Sequence, residues 1–154
     1  MIVLGILAIL MAIGYPAFQR IYINSHLRSA VREMVADFNL QRQRAMSGDS
    51  AAGGARIHRV SLNLGAKTYT LERCATTDNT CPGWETMDVK DFSAHGSDID
   101  YEQSNPAWQY SAPYDFYTRG TLSERTIVLT NSRGSTAVIT SYVSGRTFVE
   151  FKMQ

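Results

Sequence analysis

Hydrophobic and polar positions fall into three regimes along this chain. The first eighteen residues, MIVLGILAILMAIGYPAF, carry no charged side chain. At ~1.5 Å per residue they form a helix of ~27 Å, just short of a ~30 Å hydrocarbon core. Such a segment lies in a bilayer, is removed as a signal, or is buried among neighbouring helices. From Asn24 to Met46 the period changes. Leu27, Ala30, Val31, Met34, Val35, Phe38 and Ala45 recur mostly at steps of three and four, which predicts one apolar stripe of an amphipathic helix. Arg28, Arg32, Asp37, Gln41 and Arg44 are expected on its opposite face. Pro16 has no N–H to donate, so a kink or local melting is expected near Gly14 and Pro16. Gly48, Asp49, Gly53 and Gly54 are expected to end the helix.

The third regime is strand-like. Val60, Leu62 and Leu64 alternate with polar Ser61 and Asn63, and a Gly65-Ala66 turn leads into Thr68–Leu71, as in a hairpin. Short strands are expected around Met87–Phe92 and Ile99–Glu102, within a weakly patterned stretch from Trp84 to Pro113. Tyr114–Tyr117, Thr126–Thr130, Thr136–Val143 and Arg146–Phe151 read as further strands. The last three form an antiparallel meander able to pack on the helical stripe. The expectation is an α+β chain: an apolar transmembrane or filament-core helix over 1–23, its amphipathic continuation over 24–48, and a β-rich head over 55–154.

Composition narrows the chemistry. A net charge of +1 with 19% charged residues gives no strong field toward nucleic acid or anionic lipid. A secretory signal would need a basic start and small residues at a cleavage site. Neither is present, since Ile2, Val3 and Leu4 follow Met1 and the exit from the apolar run is Tyr15-Pro16-Ala17-Phe18. Cys74 and Cys81 enclose ATTDNT, a poor metal spacing without companion ligands. In a domain outside the cytoplasm they read as a short disulfide. A ring this small contributes only ~2.5 kcal/mol by chain entropy, so it pins a loop rather than the fold.

The apolar run resembles the body of a type IV pilin N-terminal helix, and the rest is similar to the GspH/FimT group of minor pilins and pseudopilins. The resemblance rests on an ordered set. Ser25-x-Leu27-Arg28-Ser29-Ala30 and Asp37-x-x-Leu40-x-x-x-Arg44 lie on the helix. Phe116-Tyr117-Thr118-Arg119-Gly120, Thr126–Leu129 and a closing Ser144-Gly145-Arg146 follow. Such proteins are made with a basic leader ending in glycine, ahead of a mature start similar to Phe-Thr-Leu-Ile-Glu. Neither stands here, and the expectation is that about seven residues precede Met1, enough to complete a spanning helix.

The resemblance implies a type IV pilin fold and a structural role. The precursor would wait in the inner membrane as a single-span protein with its head outside the cytoplasm. It would then be extracted by an inner-membrane assembly platform and packed against other copies or other pilins in a filament. Helix packing favours small residues, which gives Gly5, Ala8, Ala12 and Gly14 that task, with Pro16 as the place where the helix unwinds. The alternatives within this reading are an H-type pseudopilin of a type II secretion system and a DNA-binding minor pilin for DNA uptake. The last is associated with a basic G-R-x-R element. This chain has Gly145-Arg146-Thr147-Phe148, with Phe148 in place of the second arginine. Arg119, Arg125, Arg133 and Arg146 would have to converge for phosphate contact, and solvated turn arginines are the favoured reading.

No catalytic chemistry is expected. There is no G-x-S-x-G elbow, P-loop or G-x-G-x-x-G, and Gly53-Gly54 reads as a flexible joint. His26, His58 and His95 are scattered and expected to be solvated or hydrogen-bonded rather than ligands. Asp98 and Asp100 read as alternating on a solvated strand face, so no metal and no cofactor is expected. Tyr101, Trp108, Tyr110, Tyr114, Phe116 and Tyr117 are expected in core packing or subunit contact.

Overall fold

A computed structural model of the chain describes residues 2–48, 56–76, 81–102, 113–120 and 124–154, with the side chains of 2–14, 16 and 17 left undescribed. One helix, α1 (Ile2–Ser47), runs unbroken through Gly14 and Pro16. The expected local melting is therefore absent: the helix absorbs the lost Pro16 N–H bond without leaving the α conformation. Gly48 ends it at φ +64°, the left-handed conformation that caps a helix at least cost in glycine. Asp49, Gly53 and Gly54 lie outside the described residues. No helix among the described residues is long and apolar enough to cross a membrane.

Among the described residues eight strands follow in two antiparallel sheets. The first sheet is β1 (His58–Asn63), β2 (Thr68–Cys74), β3 (Trp84–Asp91) and β5 (Tyr114–Phe116), in the order β3-β2-β1-β5. The second is β4 (Asp100–Tyr101), β6 (Arg125–Thr130), β7 (Thr136–Ser141) and β8 (Thr147–Lys152), in the order β4-β6-β7-β8. The hairpin of β1 and β2 and the meander β6-β7-β8 stand where alternation predicts them. The pairing of β5 with β1 (His58↔Phe116) and of β4 with β6 (Asp100↔Thr130) joins segments distant in sequence. Opposite Leu71 and Glu72 the register skips Met87, a bulge in β3 that bends it against β2.

Both sheets cup the amphipathic half of α1. Leu27, Met34, Phe38 and Ala45 are buried against Val60, Tyr69, Tyr114 and Phe116 of one sheet and Ile127, Leu129, Ala137 and Ile139 of the other. Each buried aliphatic side chain of this kind contributes about 1.5–3 kcal/mol. Phe38 meets Tyr114 at 5.0 Å between ring centroids and Phe116 at 6.0 Å, tying helix to sheet at one point. Gln41 departs from its expected place on the solvent face, being fully buried. Its Oε1 lies 2.8 Å from His58 Nδ1, so the polar group enters the core because a partner waits there.

Candidate assembly surface

Below the head, α1 leaves the shelter of the sheets. Tyr15, Phe18, Ile21 and Tyr22 are 72%, 75%, 67% and 64% exposed, a contiguous apolar surface on one stem. An exposed patch of this kind marks an interaction site. The Tyr22 ring meets His26 edge-on at 4.1 Å, where the stem passes under the head. Gly5, Ala8, Ala12, Gly14 and Pro16 lie in the helical backbone of the same stem.

A polar clasp holds stem to head. Asn24 Oδ1 accepts from Asn131 Nδ2 at 2.9 Å and from Ser135 Oγ at 3.0 Å. Asn131 Oδ1 accepts from the backbone N–H groups of Arg133 and Ser135, shaping the β6–β7 turn. The Gln154 N–H donates to Ser135 Oγ at 2.9 Å, bringing the last residue to the same point. Arg133 reaches further down to Gln19 Oε1 at 3.3 Å. This end of the head therefore faces the stem.

A second set of contacts ties one flank of α1 to β3 and the segment after it. Glu33 pairs with His95 and with Lys90 at 3.3 Å, and Lys90 also meets Asp88 at 3.3 Å. His26 stands 3.7 Å from Asp98. Burial works to raise the Glu33 pKa, but hydrogen bonds from His95 and Lys90 outweigh it and hold the carboxyl below its ordinary range. Tyr69 Oη donates to Asp37 at 2.7 Å. Burial first, and then the Asp37 carboxylate, push the Tyr69 hydroxyl far above its ordinary value. Asp98 lies in a turn, not on the strand expected for it, while Asp100 opens β4 and pairs with Lys67 at 2.9 Å. All three histidines have side-chain partners, which the sequence hid because they are far apart along the chain.

At the end of the head farthest from the stem, Arg42 Nη2 donates to the Ser144 carbonyl at 3.2 Å. Gly145, at φ +74°, presses on the Gly120 carbonyl and the Arg42 side chain, and a Cβ there would collide with both. Two of the motif glycines are thus explained by one tight stack on the helix. Arg125 pairs across β6–β7 with Ser141, next to the turn bearing Arg146, and Arg119 adjoins Gly120. Arg133 lies at the opposite end, so the four arginines do not converge. Arg125 is also half-buried, 6.0 Å above the Tyr114 ring.

Cys74 and Cys81 form a disulfide with Cα atoms 5.6 Å apart at the margin of β2 and β3. Beside it, the Arg59 guanidinium lies 3.7 Å from the Trp84 ring centroid and holds Asp115 through two bonds of 2.6 and 3.0 Å. Of the aromatic group, Tyr101, Tyr114 and Phe116 are buried and Tyr117 is exposed. Trp108 and Tyr110 lie outside the described residues. Among the described residues no group of three His, Cys, Asp or Glu side chains is placed to hold a metal.

No protein-family model matches the sequence, and no curated protein matches it either. Solved structures do. The minor pseudopilin EpsH from the type 2 secretion system of Vibrio cholerae aligns with a TM-score of 0.59 at 12% identity, covering 82% of this chain and 97% of its own. A crystal structure of EpsH from the same organism's type II secretion system aligns with a TM-score of 0.57 at 12% identity, covering 82% and 94%. The chain has the fold of a minor pseudopilin. In this chain a single helix, α1, runs from the stem into the clasped head without an intervening linker. Asn24, Gln41, Arg42, Asn131 and Ser135, which make that connection, were not singled out as site residues by the sequence. Only Asn131 carried a local signal, heading an Asn-Ser-Arg-Gly turn.

Proposed function

We propose that this chain is a structural subunit of a pilin-like filament, assembled through α1, and that the filament is the periplasmic pseudopilus of a type II secretion system. The observation that carries the reading is the exposed apolar stem continuous with a helix locked into the head, in a fold shared with a minor pseudopilin. Stem side chains gain from burial among other stems, and the head has no catalytic duty. In this reading the stem resides in the inner membrane before assembly and the head in the periplasm. Other pilin-like subunits and the assembly platform are its partners. Gly5, Ala8, Ala12 and Gly14 then allow close approach of neighbouring helices, and Pro16 is where α1 gives way during repacking. The likeness to EpsH favours the pseudopilin over the pilus subunit, which was the first expectation from the sequence. The dispersal of Arg119, Arg125, Arg133 and Arg146 counts against a DNA-receptor role.

Deletion of the gene in the native cells separates these roles. Loss of exported enzymes from the medium with surface pili intact is the expected result. Loss of pili with normal export would transfer the chain to a pilus. A salt-dependent shift of duplex DNA by the full chain in detergent would revive the third role.

A further inference from the structure

Helix α1 separates two flanks of opposite charge. On one flank runs β3, the outermost described strand of its sheet. Its exposed positions are Glu85, Thr86, Asp88, Val89 and Asp91, while its one cation, Lys90, is half-buried and drawn onto Glu33. Glu85 and Asp88 make partly exposed ion pairs with Arg73 and Lys90, which can exchange partners at little cost, while Asp88 Oδ1 also accepts from the Val89 N–H. On the other flank lies β8, the outermost described strand of the second sheet. Between β8 and α1 a shallow groove of about 210 Å³ is lined by Val31, Val35, Val149 and Phe151, with Arg32 on its rim. A second hollow bordered by Arg20 and Arg28 continues it toward the stem. Arg20, Arg28 and Arg32 are exposed and make no ion pair among the described residues.

We propose that this basic, apolar-floored groove docks the acidic β3 edge of a second copy of the chain. The spacing of the charges fits. Arg20 to Arg32 spans ~18 Å of helix at 1.5 Å per residue, and Glu85 to Asp91 spans ~20 Å of strand at about 3.3 Å per residue. Val89, 56% exposed between Asp88 and Lys90, supplies an apolar side chain to seat on the floor of Val31, Val35, Val149 and Phe151. Donor edge and acceptor groove lie on opposite flanks of one helix. The contact is therefore heterologous: each copy that docks presents a fresh edge, which builds a row rather than a closed pair. The proposal rests on the filament-subunit reading and supplies that reading with its head-to-head contact.

Thiol cross-linking of the full chain in native membranes tests it. Val89→Cys marks the edge and Asn39→Cys, exposed one turn beyond Val35, marks the groove. A short bismaleimide joins them and leaves the Cys74–Cys81 disulfide intact. The chain carrying both changes should give a ladder of dimers, trimers and longer products, while each single variant stays monomeric. Arg28→Glu with Arg32→Glu should cut the ladder at least tenfold, and adding Glu85→Lys with Asp88→Lys to the same chain should restore it. Dimers from either single variant would mean a symmetric contact and overturn the proposal, as would a ladder unmoved by charge reversal. Phe18→Cys, run in parallel, reports stem association. Stem products without a Val89–Asn39 ladder overturn the docking and leave the subunit reading standing; absence of both overturns both.

Discussion

At the scale of single residues, the tightest point is Gly145, held between the Gly120 carbonyl and Arg42 with a positive φ. Gly145→Ala meets both a collision and an unfavourable backbone, so a loss of about 1–3 kcal/mol is expected. Gly48→Ala has a positive φ but open space around it and should lose about 1 kcal/mol or less. Urea denaturation of the full chain in detergent, followed by tryptophan fluorescence, ranks the two; equal losses would mean that the Gly120–Arg42 stack is slack. Gln41→Leu removes the side chain's bond to His58 in the core, and should cost about 1–3 kcal/mol in the same assay. The buried hydroxyls of Tyr69 and Tyr101 are both pushed above their ordinary value, chiefly by burial. The unfolded chain sheds those protons near pH ~10 while the folded chain keeps them, so stability holds below that pH and falls as pH rises above it. Tyr69→Phe with Tyr101→Phe should flatten that alkaline slope. An unchanged slope would contradict the burial assigned to them.

At the scale of elements, the helix and most strands were legible because one physical rule governs each. A stripe at steps of three and four buried Leu27, Met34, Phe38 and Ala45, and alternation set β1, β2, β6, β7 and β8. What the sequence could not show was long-range pairing. Nothing local says that β5 lies on β1, or that α1 is cupped by two sheets rather than laid on one. Gln41 was misplaced for the same reason: polarity predicts exposure unless a distant partner such as His58 is known. The clasp was hidden likewise, since Asn24 meets Asn131 and Ser135 only after folding. Its role is testable as a unit. Asn24→Ala should loosen the β6–β7 turn and raise amide hydrogen exchange at 131–135 severalfold while leaving the Arg42–Ser144 end protected. Uniform protection in the variant would show that packing, not the clasp, fixes the head. Replacing Cys74 and Cys81 by serine should cost at most ~2.5 kcal/mol and leave the fold intact, because the ring is small.

At the scale of the whole molecule, α1 is both stem and spine. On its lower part Tyr15, Phe18, Ile21 and Tyr22 are exposed, and its upper half is fixed into the head by Phe38, Gln41, Asn24 and Arg42. In the proposed filament role, burial of stems supplies cohesion and heads set the outer surface. The opposed charge of the two flanks adds direction to the same plan. The most direct test of the central claim is photo-cross-linking from position 18 in native cells, with the captured chains sequenced by mass spectrometry. With a photoreactive residue replacing Phe18, the account predicts capture of the apolar stems of pilin-like chains, lost when the secretion system's assembly ATPase is disabled. Capture of lipid alone in cells with an active ATPase would contradict it.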